Sequence, residues 1–345
     1  MLEENVKISS LTTMKIGGPA RYVAEVEEVG EIAKWLDFAE DKGLPVFLMG
    51  AGANIIGRDE GFDGVVLMCK IRGFEVLEQT AREITVRVGA GEILDDIVKI
   101  LSERGYTGVE GLASIPGTVG AAPVQNVGAY GQEIEQVLER VESYDMQERQ
   151  MREFGHDECG FAYRQSIFNH GPNAGRYFIT HVVLKLKKGE LKPPFYTSLQ
   201  RYLEEHNIKD YSPESIRRAV AAVREVKLPD PRFEASAGSF FKNIYLSDEE
   251  AEAARERGIE VWRERGQNIV NSGWLIQQAG LSGRTFYGVR VSEKAALILI
   301  NDHARGYSDL ARARERIVWA VEKQFGYRLE QEPVEMVAGG EREVA

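Results

Sequence analysis

Apolar residues at Val29, Ile32, Ala33, Leu36 and Ala39 recur every three or four positions. That spacing predicts a helix with one buried face, and Gly43 is placed to close it. A short apolar run, Val46 to Met49, predicts a buried strand, and the glycine loop Gly50-Ala51-Gly52-Ala53-Asn54 follows it. Further strands are predicted at Val65 to Leu67 and, from its alternation, at Ile84 to Val88. A second helix, Ile93 to Glu103, ends near Gly105, and Val182 to Leu186 reads as another strand. Ser212-Pro213-Glu214 then opens a helix with a capping serine and a proline in the first turn. Ile216, Val220 and Val223 mark its apolar face, and Pro229 ensures its end. A last helix runs from Ser308 to about Phe325 and is closed by Gly326. Strands and helices are mixed along the chain, and no segment repeats.

One stretch has neither period. From Gly111 to Gly131 the chain reads GLASIPGTVGAAPVQNVGAYG, poor in charge and rich in glycine. Loops of this length inside compact domains are usually functional.

Composition bounds the class of protein. At 345 residues, 43% hydrophobic and 28% charged, the chain is long enough for two or three domains of globular composition. Met1-Leu2-Glu3-Glu4-Asn5 is acidic and lacks the basic-then-apolar pattern of a signal peptide. No apolar run approaches the roughly 20 residues that a membrane span needs. A cytoplasmic protein with no membrane partner is expected. Cys69 and Cys159 form no CxxC pair, and no histidine stands at ligand spacing, so neither a metal nor a disulfide framework is expected. A net charge of −11 argues against nucleic acid as a partner. Small anions remain open to a few local cations such as Lys227, Arg232 and Lys242, although a solvated surface is the ordinary reading of three basic residues.

Two glycine loops follow strands, which raises the question of a dinucleotide fold. The fingerprint G-x-G-x-x-G fails at both: in GAGANIIG (50–57) Ile55 stands where the third glycine belongs, and in GAGEIL (89–94) Leu94 does. There is no Walker pattern. Consecutive backbone N–H groups in such turns still form anion-binding nests. Gly50–Asn54 is one candidate, and Ser114–Gly120, with Pro116, Gly117, Thr118 and the following Ala121, is the other.

The most specific stretch begins at Lys227 and continues through KLPDP to FEASAGSFFKN. Gly238 can let the backbone approach a ligand or adopt positive φ. Ser239 then presents a hydroxyl, and Lys242 and Asn243 add a cation and an amide. This run, together with IPGTVGAAPVQNVGAYG, resembles the UDP-N-acetylenolpyruvoylglucosamine reductases, flavoenzymes that complete the muramic acid unit of bacterial peptidoglycan. The resemblance extends in order from TTMKIGGPA (Thr12 to Ala20) to Glu332. It implies an α+β architecture: a vanillyl-alcohol-oxidase/PCMH-type FAD-binding fold of two α+β subdomains plus a C-terminal α+β substrate-binding domain. The expected boundaries are 1–72 joined by 327–345, then 73–211, then 212–326.

The resemblance also implies the chemistry. NADPH charges a non-covalently held FAD. Hydride then goes to C3 of the enolpyruvyl group of UDP-N-acetylglucosamine enolpyruvate, and a proton goes to C2. Arg164, in FAYRQSIF, resembles the residue that holds the carboxylate, a task suited to a fork of parallel donors. Ser239 matches the proton donor. The third residue is an acid in GYRLEQEPVEMV. Leucine spacing selects Glu332, with Glu330 and Glu335 close enough to compete. Tyr196 resembles a tyrosine that closes over the diphosphate and, with the longer central domain, points to the first of the family's two types. Lys227 and Asn243 match nucleotide-binding positions, and Tyr130 and Tyr163 are assigned to the substrate. Gly50, Ala51, Gly52, Ala53, Asn54, Ser114, Pro116, Gly117, Thr118, Gly120 and Ala121 are assigned to FAD. Four departures stand out: Ala53 replaces a serine, Pro333 precedes the valine, Ile244 replaces a proline and Ala295 a glutamine.

Two other readings compete. An FAD-dependent alcohol oxidase or dehydrogenase of the same fold often tethers flavin through His or Cys, and neither glycine loop contains one. A nucleotide-sugar-binding protein without catalysis fits poorly with Arg164, Ser239 and a candidate glutamate all being present. A monomer is expected.

Overall fold

The computed structural model describes residues 1–264 and 266–337, and the last eight residues of the segment expected to join the first domain lie outside them. The fold is α+β, and its contacts divide it into two compact units. The first comprises residues 1–5, 21–52 and 63–226, and the second comprises 6–20, 53–62 and the chain from 227 onward.

The first unit has two cores. In one, the helix Gly30–Asp41 turns Ile32, Trp35, Leu36 and Ala39 onto a sheet of strands ordered 2–7, 19–26, 62–69, 46–49. Val46–Met49 forms as its apolar run predicts and pairs in parallel with Val65 to Met68. Gly43 sits at φ +63, where a side chain would be strained. The larger core lies on an antiparallel sheet ordered 150–155, 138–145, 177–188, 83–89, 74–79. Helix Leu94–Glu103 buries Leu94, Ile97, Val98 and Leu101 against Ile84, Val86 and Val88 of that sheet.

The helix Pro213–Lys227 begins at its predicted proline. Expected to open a third domain, it instead sends Ile216, Ala219 and Val220 into the larger core of the first unit. Ile216 and Val220, both nearly inaccessible, each stabilise that docking by about 1.5–3 kcal/mol. The second unit therefore starts where the helix stops.

In the second unit, strands 235–239, 298–301, 289–291 and 285–286 form one sheet, and 244–246, 267–270 and 262–264 form another. A short parallel pair, 55–57 with 334–336, ties the end of the described chain to an early segment. Helix Tyr307–Phe325 packs Leu310, Ala313, Ile317 and Val321 into this core and ends at Gly326 with φ +76. Its N-terminus is capped from far away in sequence. Asp59 accepts the N–H of Tyr307 at 2.6 Å and of Ser308 at 3.0 Å, satisfying donors that a helix start leaves open. Among the described residues no helix is long and apolar enough to cross a membrane, and no cluster of His, Cys, Asp or Glu is arranged to hold a metal.

Candidate active site

The two glycine loops meet. A Cβ placed on Gly50 would stand 2.6 Å from Thr118 Oγ1 and 3.3 Å from Ala121 Cβ, so a side chain there would have to displace Thr118. Gly120 is packed as tightly, since its Cβ would lie 2.5 Å from that of Ala90. The second loop is pinned to the start of helix Leu94–Glu103: Leu94 donates to Gly117 O at 3.1 Å, and Val119 donates to Glu92 O at 2.9 Å.

Much of the loop's own donor capacity is used internally. Ser114, at φ +58, gives its N–H to Asp95 Oδ1 at 2.7 Å. Gly120 gives its own to Ala90 O, and Ala121 to Thr118 O. Pro116 has none. Among the described residues, no hydrogen bond is donated by the N–H of Ala51, Gly52, Gly117 or Thr118. A pair of touching turns with open backbone donors fits the diphosphate of a flavin dinucleotide. Ala53 and Asn54 belong to the second unit, where Ala53 O accepts from Thr13 Oγ1 at 3.2 Å and Asn54 O from Val334 N at 3.0 Å.

Arg164 occupies a tight turn. Ala162 and Gln165 exchange N–H···O bonds of 3.0 and 3.1 Å, leaving Tyr163 and Arg164 at the tip. Arg164 has φ +54, a conformation that costs a non-glycine residue on the order of 1 kcal/mol and persists only where its surroundings impose it. Those surroundings are visible. Asn169 Nδ2 donates to Arg164 O at 3.1 Å, and Ser166 Oγ donates to Val124 O at 2.6 Å. The guanidinium lies over the Tyr163 ring, 5.0 Å from its centre, and Nη2 reaches Gly128 O at 3.1 Å.

Gly128 belongs to a hairpin in which Ala129 pairs with Gln132, so Tyr130 and Gly131 form a two-residue turn at φ +51 and +80. Both positive values are those of a type I′ turn, unusual for tyrosine. The turn lifts Tyr130 against Tyr196, edge to face at 5.5 Å between ring centres. Tyr196 itself is 46% exposed. Burial raises the Tyr130 phenol above its ordinary value, opposed by the positive charge of Arg224. Arg164, Tyr163, Tyr130 and Tyr196 are thus linked through one hairpin.

In the second unit Gly238 takes φ +71, and the register between strands 235–239 and 298–301 is irregular from Ser236 to Ser239. This bulge re-aims the chain at the glycine and leaves Ser239 partly exposed. The next residues form a bridge with the end of the described chain: Glu332 N donates to Phe240 O, and Lys242 N to Glu330 O, each at 2.9 Å. Glu332 therefore follows the bridge residue Gln331, beside the Ser239 segment. Asn243 Oδ1 accepts the N–H of Ser272 at 3.2 Å. Lys227 ends its helix, exposed.

The competing glutamates have other engagements. Glu330 pairs with Lys242, which neutralises the cation expected to hold an anion. Arg232 is exposed and folds back onto Asp230 with Nε–Oδ2 2.9 Å, and it joins no cluster with Lys242. Glu335 is 2% exposed and accepts from Arg58, Arg314, Tyr307 and Gln331. Burial alone would raise its carboxyl, but Tyr307 and the two guanidinium groups outweigh that and hold it below the usual range. An acid so locked in the ionised state is unsuited to giving up a proton. Asp95 and Arg224 stand at the second glycine loop of the first unit, and neither belongs to a recognisable motif. Only Asp95, an acid in a helix's first turn, had a local signal.

Two family models match the chain. A family model described as an FAD binding domain matches residues 20–150, and one described as the C-terminal domain of UDP-N-acetylenolpyruvoylglucosamine reductase matches 230–336. The chain is 34% identical over 336 residues to the UDP-N-acetylenolpyruvoylglucosamine reductase of Pseudomonas aeruginosa, covering 96% of this chain and 98% of that one. It is 36% identical over 341 residues to the reductase of the same name from Ralstonia nicotianae, covering 97% and 99%. Among solved structures, UDP-N-acetylenolpyruvylglucosamine reductase from Thermus caldophilus shares the fold, with a TM-score of 0.67 at 24% identity over 98% of this chain and 100% of that one.

Proposed function

The chain belongs to the UDP-N-acetylenolpyruvoylglucosamine reductase family, and from that membership we propose how its residues carry out the family's reaction. The enzyme reduces UDP-N-acetylglucosamine enolpyruvate to UDP-N-acetylmuramate with FAD as cofactor and NADPH as reductant. FAD, when bound, takes up hydride from NADPH and supplies it to C3 of the enolpyruvyl group. The turns around Gly50–Asn54 and Ser114–Ala121 are assigned to its diphosphate, supported by their open N–H groups and close approach.

What remains for the protein's side chains is charge and proton management. As C3 becomes saturated, negative charge grows on C2 and spreads into the carboxylate, and donors fixed in advance lower the cost of that build-up. Arg164 is assigned to the carboxylate. Its turn holds the backbone in a strained conformation, and the Tyr163 ring supports the guanidinium, so little reorganisation is needed. Ser239 is assigned as proton donor to C2, and Gly238 at positive φ supports this by turning the chain just before it. Glu332 is assigned to the enolate, hydrogen-bonding it as a neutral acid or through a water, since an ionised carboxylate there would repel the charge. Tyr196 and Tyr130, Lys227 and Asn243 are assigned to the nucleotide sugar. Substrate binding is assigned to the C-terminal part of the chain that follows helix Pro213–Lys227.

The Gly238–Ser239 bulge, within the family's run of residues, carries this reading most directly. A charged nucleotide sugar does not cross a bilayer unaided, so the enzyme is taken to act in the cytoplasm, and as a monomer. The test is NADPH oxidation by the purified yellow protein with and without the enolpyruvyl sugar. Oxidation stimulated strongly by the sugar is expected. Turnover driven by oxygen alone would point to an oxidase.

A further inference from the structure

Arg217 and Arg224 lie two turns apart on the helix Pro213–Lys227, and each has its Nε buried without a hydrogen-bond partner among the described residues. For Arg224 the surroundings say what is missing. Its Nη2 donates to Ser114 O at 3.4 Å, so the side chain stands at the turn that opens the second glycine loop. Its other polar neighbours are the Tyr130 phenol and the carboxylate of Asp95. That carboxylate already accepts Ser114 N–H at 2.7 Å. A guanidinium carries five N–H donors, and here one long bond to a carbonyl is described. Burial lowers the group's affinity for its proton, although it stays charged. Arg224 is half-buried, its Nε is buried and unbonded, and leaving such a donor unsatisfied is costly, a cost that an anion beside it would relieve.

The adjoining loops lack a charge of their own to offer. The open donors at Ala51, Gly52, Gly117 and Thr118 are neutral backbone groups. A diphosphate brings two negative charges, and a planar guanidinium can hold two phosphate oxygens at once, which an ammonium cannot. We infer that Arg224 is the counter-charge to the FAD diphosphate. This rests on the assignment of the two glycine turns to the cofactor.

The test uses the full chain, stripped of flavin and titrated with FAD by fluorescence, beside titration with riboflavin, which lacks the phosphates. Arg224→Gln is expected to raise the Kd for FAD at least tenfold, to leave that for riboflavin within twofold, and to flatten the dependence of log Kd on log salt. Arg224→Lys should restore part of the loss. Arg218→Gln is the control for net charge, because Arg218 is exposed and paired with Glu214 on the same helix, and it should stay within twofold. Wild-type affinity for FAD in Arg224→Gln overturns the inference, as does an equal loss for riboflavin or in Arg218→Gln. Failure of the wild type to bind FAD would sink the cofactor assignment itself, a result distinct from any of these.

Discussion

Arg58 donates twice to one carboxylate oxygen of Glu335, from Nε at 3.0 Å and from Nη2 at 2.8 Å, joining residues 277 positions apart. Arg58 follows the strand 55–57, and Glu335 lies within its parallel partner 334–336, so the pair clamps the register that also positions Glu332. Arg314, from the long helix, reaches the other oxygen at 2.8 Å, and Tyr307 OH adds a bond of 2.7 Å.

Removing the charge from this clamp should be costly. Glu335→Gln leaves two guanidinium groups facing each other across a buried amide, and breaking such a pair typically costs about 3–5 kcal/mol. The urea midpoint of the apoprotein should fall accordingly. An unchanged midpoint would mean that the carboxylate is dispensable.

The same clamp has a pH signature. The folded-state carboxyl is depressed, so its contribution is complete above the unfolded carboxylate pKa of about 4.3 and is lost as pH falls through the folded value. The stability gap between wild type and Glu335→Gln should therefore be widest near neutrality and narrow in acid. A gap that stays constant from pH 7 to pH 3 would contradict this.

Ser239→Ala should spare flavin reduction by NADPH and cripple reoxidation by the enolpyruvyl sugar, since the hydroxyl is needed only when C2 accepts a proton. Stopped-flow traces separate the two steps. Loss of both, with flavin still bound, would indicate a binding role instead.

Glu332→Gln should likewise leave flavin reduction intact and slow sugar turnover, because the amide keeps size and donor capacity but transfers no proton. Glu330→Gln should do little, since Glu330 is half exposed and its partner is Lys242. A dead Glu330→Gln beside an active Glu332→Gln would reverse the assignment.

Gly120→Ala tests the loop. The new methyl would press on Ala90 at 2.5 Å, and overpacking of this kind costs about 1–3 kcal/mol. A lower apoprotein Tm and weaker FAD retention are expected together. As for the flavin itself, acid precipitation should leave a colourless pellet, because no His or Cys lies in either turn.

The sequence by itself determined the elements whose signal is local. Helical spacing from Val29 to Ala39 gives Gly30–Asp41, the apolar run gives Val46–Met49, and Pro213 and Gly326 mark helix ends within a residue, because caps and periodicity act over one or two turns. Gly238 was likewise legible as a site of positive φ. Tertiary structure decided what depends on distant partners. Helix Pro213–Lys227 joined the first unit because its apolar face found a core there, which no linear boundary signal records. Ser114, Gly120 and Ala121 turned their N–H groups inward to Asp95, Ala90 and Thr118, and left the open donors to Gly117 and its neighbour Thr118. Glu330 and Glu335 are indistinguishable as letters. Only folding gave one a lysine and the other two guanidinium groups and a phenol, and so separated both from Glu332.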